Sequence, residues 1–344
     1  MANEEICEAA WNASTIIVRI VPTIYSCVTI FGFPGNLLAL VILWPQIKQQ
    51  NVLAVYLLNL CVSDLIFILT LPVGIHYVVH HDNWNMCKFF EFLYYTNMYS
   101  GVWFLCCISA DRYVVVKFPL RVRGIRSMYL ACTISSIIWA ALIILYVTMI
   151  VSARPHSDEH HHLLCYDSFP LQEGRAVLHL CTTILGFVLP LLIMTFCNVG
   201  IATTILASNA FSTQEKGKIT RLVLMILAIF IICFLPYHII LMFRIALRLK
   251  GMNCKMEESL YTPYQLAFAI ASISSAMNPL LNIFFSETAC ETLGQITLSA
   301  RKWLRQVFCR SSDNQPPTKP DVEAEAFSKG VKRTQDPTNL SQPD

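Results

Sequence analysis

The sequence predicts an all-α membrane protein: a seven-transmembrane helix bundle with a short amphipathic cytoplasmic helix. Three observations predict it. Hydrophobic residues make up 55% of the 344-residue chain and charged ones 14%, against about 25% charged in soluble domains. The mean hydropathy is +0.54. Seven apolar runs, roughly 20–44, 53–79, 88–114, 129–152, 175–206, 221–247 and 260–285, are each long enough to cross a bilayer as a helix, which takes about 20 residues.

These runs divide the chain into an extracellular N-terminus (1–19), the bundle (20–285), an amphipathic helix (286–310) and a disordered cytoplasmic tail (311–344) rich in Pro, Ser, Gln, Asp and Lys. Met1 to Ala10 is polar and carries no basic n-region, so the first run reads as a signal anchor rather than a cleaved signal peptide. Orientation follows the Lys and Arg of the short loops. Lys48, then Lys117, Arg121, Arg123 and Arg126, then Lys216, Lys218 and Arg221 fall on one side. Acidic residues dilute the bases on the other, where Asn12-Ala13-Ser14 forms a glycosylation acceptor. The expected protein sits in the plasma membrane with its N-terminus outside. A net charge of +3 gives no argument for nucleic acid.

The runs carry polar residues where a span has no need of them. Asn36 lies deep in the first and Asp64 in the second. An acid in mid-bilayer costs about 2.5–3.5 kcal/mol on insertion scales, so it demands a partner or a role. The third run begins at Cys87, is rich in aromatic residues from Phe89 to Tyr99, and ends on Asp111-Arg112-Tyr113 ahead of a basic loop. Trp139 lies in the fourth. Pro72, Pro190, Pro236 and Pro279 interrupt their runs, and a bilayer tolerates such kinks where neighbours satisfy the freed carbonyl. The sixth run carries Cys233-Phe234-Leu235-Pro236-Tyr237-His238 and the seventh Asn278-Pro279-Leu280-Leu281-Asn282. Pro236 and Pro279 read as hinges. Seven cysteines inside the runs (Cys61, Cys106, Cys107, Cys132, Cys181, Cys197, Cys233) read as small buried thiols.

The Asp111-Arg112-Tyr113 triplet at the end of a span that opens on a cysteine resembles the rhodopsin-like (class A) G-protein-coupled receptors, over about residues 15–310. Phe104 to Ser109 before the triplet, with His80-His81-Asp82-Asn83-Trp84 upstream, resembles the proton-sensing and lysolipid-associated subgroup. The resemblance implies a receptor that couples to a heterotrimeric G protein, with arrestin as a further partner and membrane lipid around it. It implies a Cys87–Cys165 disulfide and a second, Cys7–Cys254. Arg112 would pair with Asp111 at rest and be released on activation, with Tyr113, Pro236, Asn278 and Pro279 completing the switch. Asp64 would be the acid of a buried sodium site, with Asn97, Ser274 and Asn278 beside it. No other cofactor, metal or catalytic residue is expected. Cys309, after the amphipathic stretch, is a palmitoylation candidate, equally readable as a plain thiol. The sequence also departs from the pattern. Asn198 and Asn282 stand where the family carries tyrosines, and Leu142, Gln265 and Asn278 where the subgroup carries Glu, His and Asp.

All nine histidines fall in the outer half on this topology. Histidine is the side chain whose ordinary pKa, near 6.5, lies between pH 5 and 8. His76, His80, His81, His162, His179 and His238 are the proton-sensing candidates, with His81 and His162 favoured by the subgroup resemblance. The run His156–His162 also reads as a solvated loop or a chance metal binder. The alternative ligand is an anionic lipid or small metabolite, with Arg244, Arg175, Tyr95 and Phe234 as pocket candidates, since a guanidinium suits a phosphate or carboxylate. A nonsignalling, scavenger-type receptor is a second alternative, resting on Asn198 and Asn282. A transporter would show internal repeats or broken half-helices, and an enzyme a convergent catalytic set. The sequence has neither.

Overall fold

The computed structural model describes residues 15–80, 87–122, 126–152, 171, 173–208, 212–251 and 254–285. Asn12, Cys7, His81, His162, Cys165, Cys309 and the stretches 286–310 and 311–344 lie outside them. The side chains of His80, Cys87 and Cys254 do too, and with them both disulfide expectations. The chain divides at residue 292 into two units, the second wholly outside the described residues.

The described residues form seven helical rods. The first is α1 (Thr15–Lys48). The second is α2 (Val52–Ile68) followed by α3 (Leu71–His80). The third is α4 (Cys87–Lys117) and the fourth α5 (Met128–Ser152). The fifth runs from α6 (Glu173–Thr183) through a π-turn, Ile184–Val188, into α7 (Leu189–Ala207). The sixth runs from α8 (Thr213–Ile229) through a π-turn, Phe230–Phe234, into α9 (Leu235–Leu249). The seventh is α10 (Cys254–Ala271) and α11 (Ser274–Phe285), separated by a turn at Ser272–Ile273.

The irregularities of the second, fifth and sixth rods sit at prolines. A proline has no N–H to give the carbonyl one turn back. In the fifth and sixth rods the turn before it widens, so that Leu189 N–H reaches Ile184 O and Leu235 N–H reaches Phe230 O. In the second rod the helix breaks ahead of Pro72, and Thr70 Oγ1 donates to Phe67 O at 2.6 Å. The two wide turns face one another, with Phe187 and Phe230 stacked at 4.9 Å.

Five helices among the described residues are long and apolar enough to cross a membrane: Ile16–Lys48, Val52–Val79, Met128–Thr148, Gly174–Ala207 and Thr213–Leu249. The third and seventh rods fall short of that description for different reasons. The seventh is cut by its turn. The third runs through the middle of the bundle, buried without interruption from Tyr94 to Val102, and so meets other helices where its neighbours meet lipid. The fourth and fifth rods instead expose Ile137, Ile144, Leu185, Leu192 and Phe196. Two of the seven span cysteines share that outward face. Cys132 and Cys181 are exposed, whereas Cys61, Cys106, Cys197 and Cys233 are buried as expected.

Small residues and amides set the spacing. A Cβ on Gly186 would fall 2.6 Å from the ring of Tyr99, so the fifth rod approaches the third only because that side chain is missing. Gly200 yields in the same way to the ring of Tyr113. Asn36 Nδ2 donates to Ser275 O at 2.9 Å and joins the first rod to the seventh. Trp139 Nε1 donates to Asn59 Oδ1 at 2.9 Å and joins the fourth to the second.

Candidate functional site

Three layers of polar side chains follow one another along the third rod. The first lies at the end that carries Arg244. Tyr95, Tyr237 and Tyr264, from the third, sixth and seventh rods, bring their hydroxyls within 3.2–3.5 Å of one another. The Arg244 guanidinium lies 4.4 Å above the Tyr264 ring and is 0% exposed. A cation over an aromatic face is drawn to the ring's negative quadrupole, more strongly once desolvated. His238 is equally enclosed. Its ring stacks on Phe187 at 3.9 Å, and edges of Tyr99 and Tyr237 close it in. Its Nδ1 lies 2.8 Å from Phe234 O, so the proton sits there, and Nε2 has no hydrogen-bond partner among the described residues. His179 is buried one turn outward on the fifth rod, 6.2 Å from the Tyr95 ring.

Five candidates thus share this layer: Tyr95, His179, Phe234, His238 and Arg244. Arg175 is half-buried one turn before His179, and His76 is exposed on α3. Phe234 lies at the floor, its ring tip 3.6 Å from where a Cβ on Gly101 would be.

The second layer surrounds Asp64. Asn97 Nδ2 donates to one carboxylate oxygen and Asn278 Nδ2 to the other, both at 2.9 Å. Ser275 Oγ donates to Asn97 Oδ1 at 3.1 Å, and Ser63 and Ser100 share a hydroxyl hydrogen bond of 2.6 Å. Ser274, expected here, turns away and donates to Ala271 O, the last residue of α10. The turn at Ser272–Ile273 rotates α11 so that Ser275, one turn before Asn278, faces the acid instead. Gln265 bonds locally to Tyr261, and Leu142 lines a small cleft between the third and fourth rods. Among the described residues, Asp64 is therefore the one carboxylate between the two ends.

The third layer is ionic. Arg112 Nη2 lies 2.6 Å from Asp111 Oδ2, the expected resting pair. A second guanidinium shares that carboxylate: Arg126 Nε lies 2.7 Å from Oδ1 and its Nη2 3.2 Å from Oδ2. The sequence placed Arg126 in a basic loop and gave no sign of this pairing. Tyr113 packs against Phe196 and Gly200 of the fifth rod. One turn from Arg112 and level with that contact, Ser109 Oγ and both amide atoms of Asn198 are buried without hydrogen-bond partners.

The chain matches the model of the 7 transmembrane receptor (rhodopsin family) over residues 35–281. It belongs to that family. It is 33% identical to the human G-protein coupled receptor 68 over 286 residues, 82% of this chain and 78% of that one. It is 32% identical to the human G-protein coupled receptor 65 over 280 residues, 78% of this chain and 83% of that one. The rat 2-oxoglutarate receptor 1 is 28% identical over 296 residues, 81% of this chain and 87% of that one. The protein is a cell-surface, multi-pass G-protein-coupled receptor of a family of receptors rather than enzymes.

Proposed function

We propose that this receptor answers acidification of the medium and passes the answer to a heterotrimeric G protein at its Arg112 end. That end faces the cytoplasm on the loop charges, and the N-terminus lies outside. One observation carries the reading. His238 is sealed between aromatic rings with Nδ1 committed to Phe234 O and no partner for Nε2. A proton added at Nε2 creates a second N–H donor that this packing, closed by rings, disfavours for want of an acceptor. The packing that best satisfies that donor gains population as pH falls. His238 lies two residues from Pro236 and just past the wide turn of the sixth rod, so a shift of its ring tilts the helix that leads to Arg112. His179 sits in the same layer. His81 and His162 match the subgroup's histidines in sequence, and Glu91, Asp158, Glu159, Asp167 and Glu173 are by sequence the acids of the same end of the topology. Asp64, Ser63, Ser100 and Ser275 supply oxygens for a sodium ion, which would enter once the amides of Asn97 and Asn278 turned their oxygens inward. Arrestin would share the G-protein face.

A second reading is favoured by Arg244. A fully buried guanidinium beside three tyrosine hydroxyls suits a small carboxylate or a lipid phosphate. The 2-oxoglutarate receptor 1 bears in its name a dicarboxylate, and it is similar over most of this chain.

The test is a titration of the medium from about pH 8 to about pH 6, with cAMP, calcium and Rho followed in cells expressing equal surface receptor. Wild type is expected to switch on as pH falls. His238→Phe and His179→Phe are expected to shift the midpoint, and His81→Phe with His162→Phe to reduce the amplitude. A flat response in wild type removes the acid reading. A flat response that becomes a signal when carboxylates are added, and is lost in Arg244→Gln, establishes the second. Carboxylate uptake without any second messenger would mark a scavenger.

A further inference from the structure

Asp111 does not belong to Arg112 alone. Its carboxylate, almost wholly buried, accepts three N–H groups from two arginines. Arg112 offers one contact, at 2.6 Å. Arg126 offers two from a single fork, at 2.7 and 3.2 Å, one to each oxygen. A two-pronged guanidinium–carboxylate pair is the stronger and more directional kind. Arg126 is itself anchored, with Nη2 3.4 Å from Asn51 Oδ1. Asn51 caps α2 through Leu53 N–H and is tied to the end of α1 by its own Nδ2 on Gln46 Oε1, at 3.2 Å each. Arg126 therefore holds the inner ends of the second, third and fourth rods on one carboxylate.

We propose that Arg126 is a positioning residue that sets how readily Arg112 is released. A buried carboxylate stripped of its only cation is costly, and that cost would oppose any movement of Arg112. With Arg126 in place the carboxylate stays neutralised whether Arg112 is present or gone. On Asp111 the signalling arginine has the single-pronged contact and Arg126 the two-pronged one, so Arg112 leaves without orphaning that carboxylate. The proposal rests on G-protein coupling and not on acid sensing.

Two measurements test it. The first is thermal stability of the purified full-length receptor in a double-mutant cycle over Asp111→Asn, Arg112→Gln and Arg126→Gln. Arg126→Gln is expected to lower the melting temperature more than Arg112→Gln, and Asp111→Asn to erase most of that difference. The second is nucleotide exchange on added G protein, at fixed pH and equal receptor. Arg126→Gln is expected to reduce exchange several-fold, Arg126→Lys less, and Asp111→Asn to raise it whether or not Arg126 is present. Asn51→Asp keeps the cap and offers Arg126 a rival carboxylate, so it should act in the same direction as Arg126→Gln, more weakly, and without a large loss of folding. Exchange that rises in Arg126→Gln, or a cycle in which Asp111 couples to Arg112 as strongly as to Arg126, overturns the proposal. A receptor that ignores pH yet gives the expected cycle overturns only the acid reading.

Discussion

The two ends of the bundle solve the same problem by different means. Each buries polar groups between helices. At the Arg244 end, the outer one on the proposed topology, the groups are held by rings: His238 against Phe187, Arg244 over Tyr264, three tyrosine hydroxyls at the long edge of hydrogen-bond range. At the inner end they are held by formal charge at 2.6–2.7 Å. Ring contacts are weak singly and tolerate small shifts, whereas a buried ion pair is either made or broken. The outer end is thus suited to graded adjustment and the inner end to a two-state step. Asp64 stands between them, satisfied by neutral amides.

Substitutions can break this contrast. The largest effect belongs to Arg112→Gln, which should abolish G-protein activation at normal surface expression. Retained activation would mean that the inner step does not run through charge exchange. Next is Asp64→Leu, which leaves two buried amide N–H groups without acceptors, about 1–3 kcal/mol each. A clear drop in melting temperature is expected, with Asp64→Asn milder. Gly186→Ala drives a methyl into the Tyr99 ring and should cost about 1–3 kcal/mol. A neutral result there would show the outer end to be looser than its packing implies. The smallest effect is at Ser212, whose hydroxyl accepts from Glu215 N–H in a reciprocal cap at the start of α8. Ser212→Ala should cost about 1 kcal/mol of local helix stability, visible as faster amide exchange over residues 213–217 with little change in signalling.

Much of this was legible in the chain. Seven spans follow from apolar length, and the need for partners at Asp64 from a charge placed where a bilayer penalises it. The Asp111–Arg112 pair and the residues expected around Asp64 are implied by the family resemblance. Three things were not. Arg126 reads as one of four loop bases, and only the fold brings its fork to Asp111. Ser274 and Ser275 are adjacent in sequence, and the choice between them depends on a turn that rotates α11 by part of a revolution. The prolines signalled kinks, but the widened turns ahead of Pro190 and Pro236 depend on how each helix absorbs a missing donor. Asn198 was marked as a departure from tyrosine. Its burial with both amide atoms unpartnered, at 4% exposure, adds that the position carries polar capacity the resting packing leaves unused.

A widened turn also fixes phase. One residue more or less in a helix swings everything beyond it by about 100°. His238, Leu241 and Arg244 face inward because Phe230–Phe234 carries its surplus residue. A single-residue deletion at Ile231 or Ile232 would shorten the sixth span by one residue and leave its Cys233–His238 signature intact. It would also turn a guanidinium out toward hydrocarbon and silence the receptor without touching any residue that binds or signals.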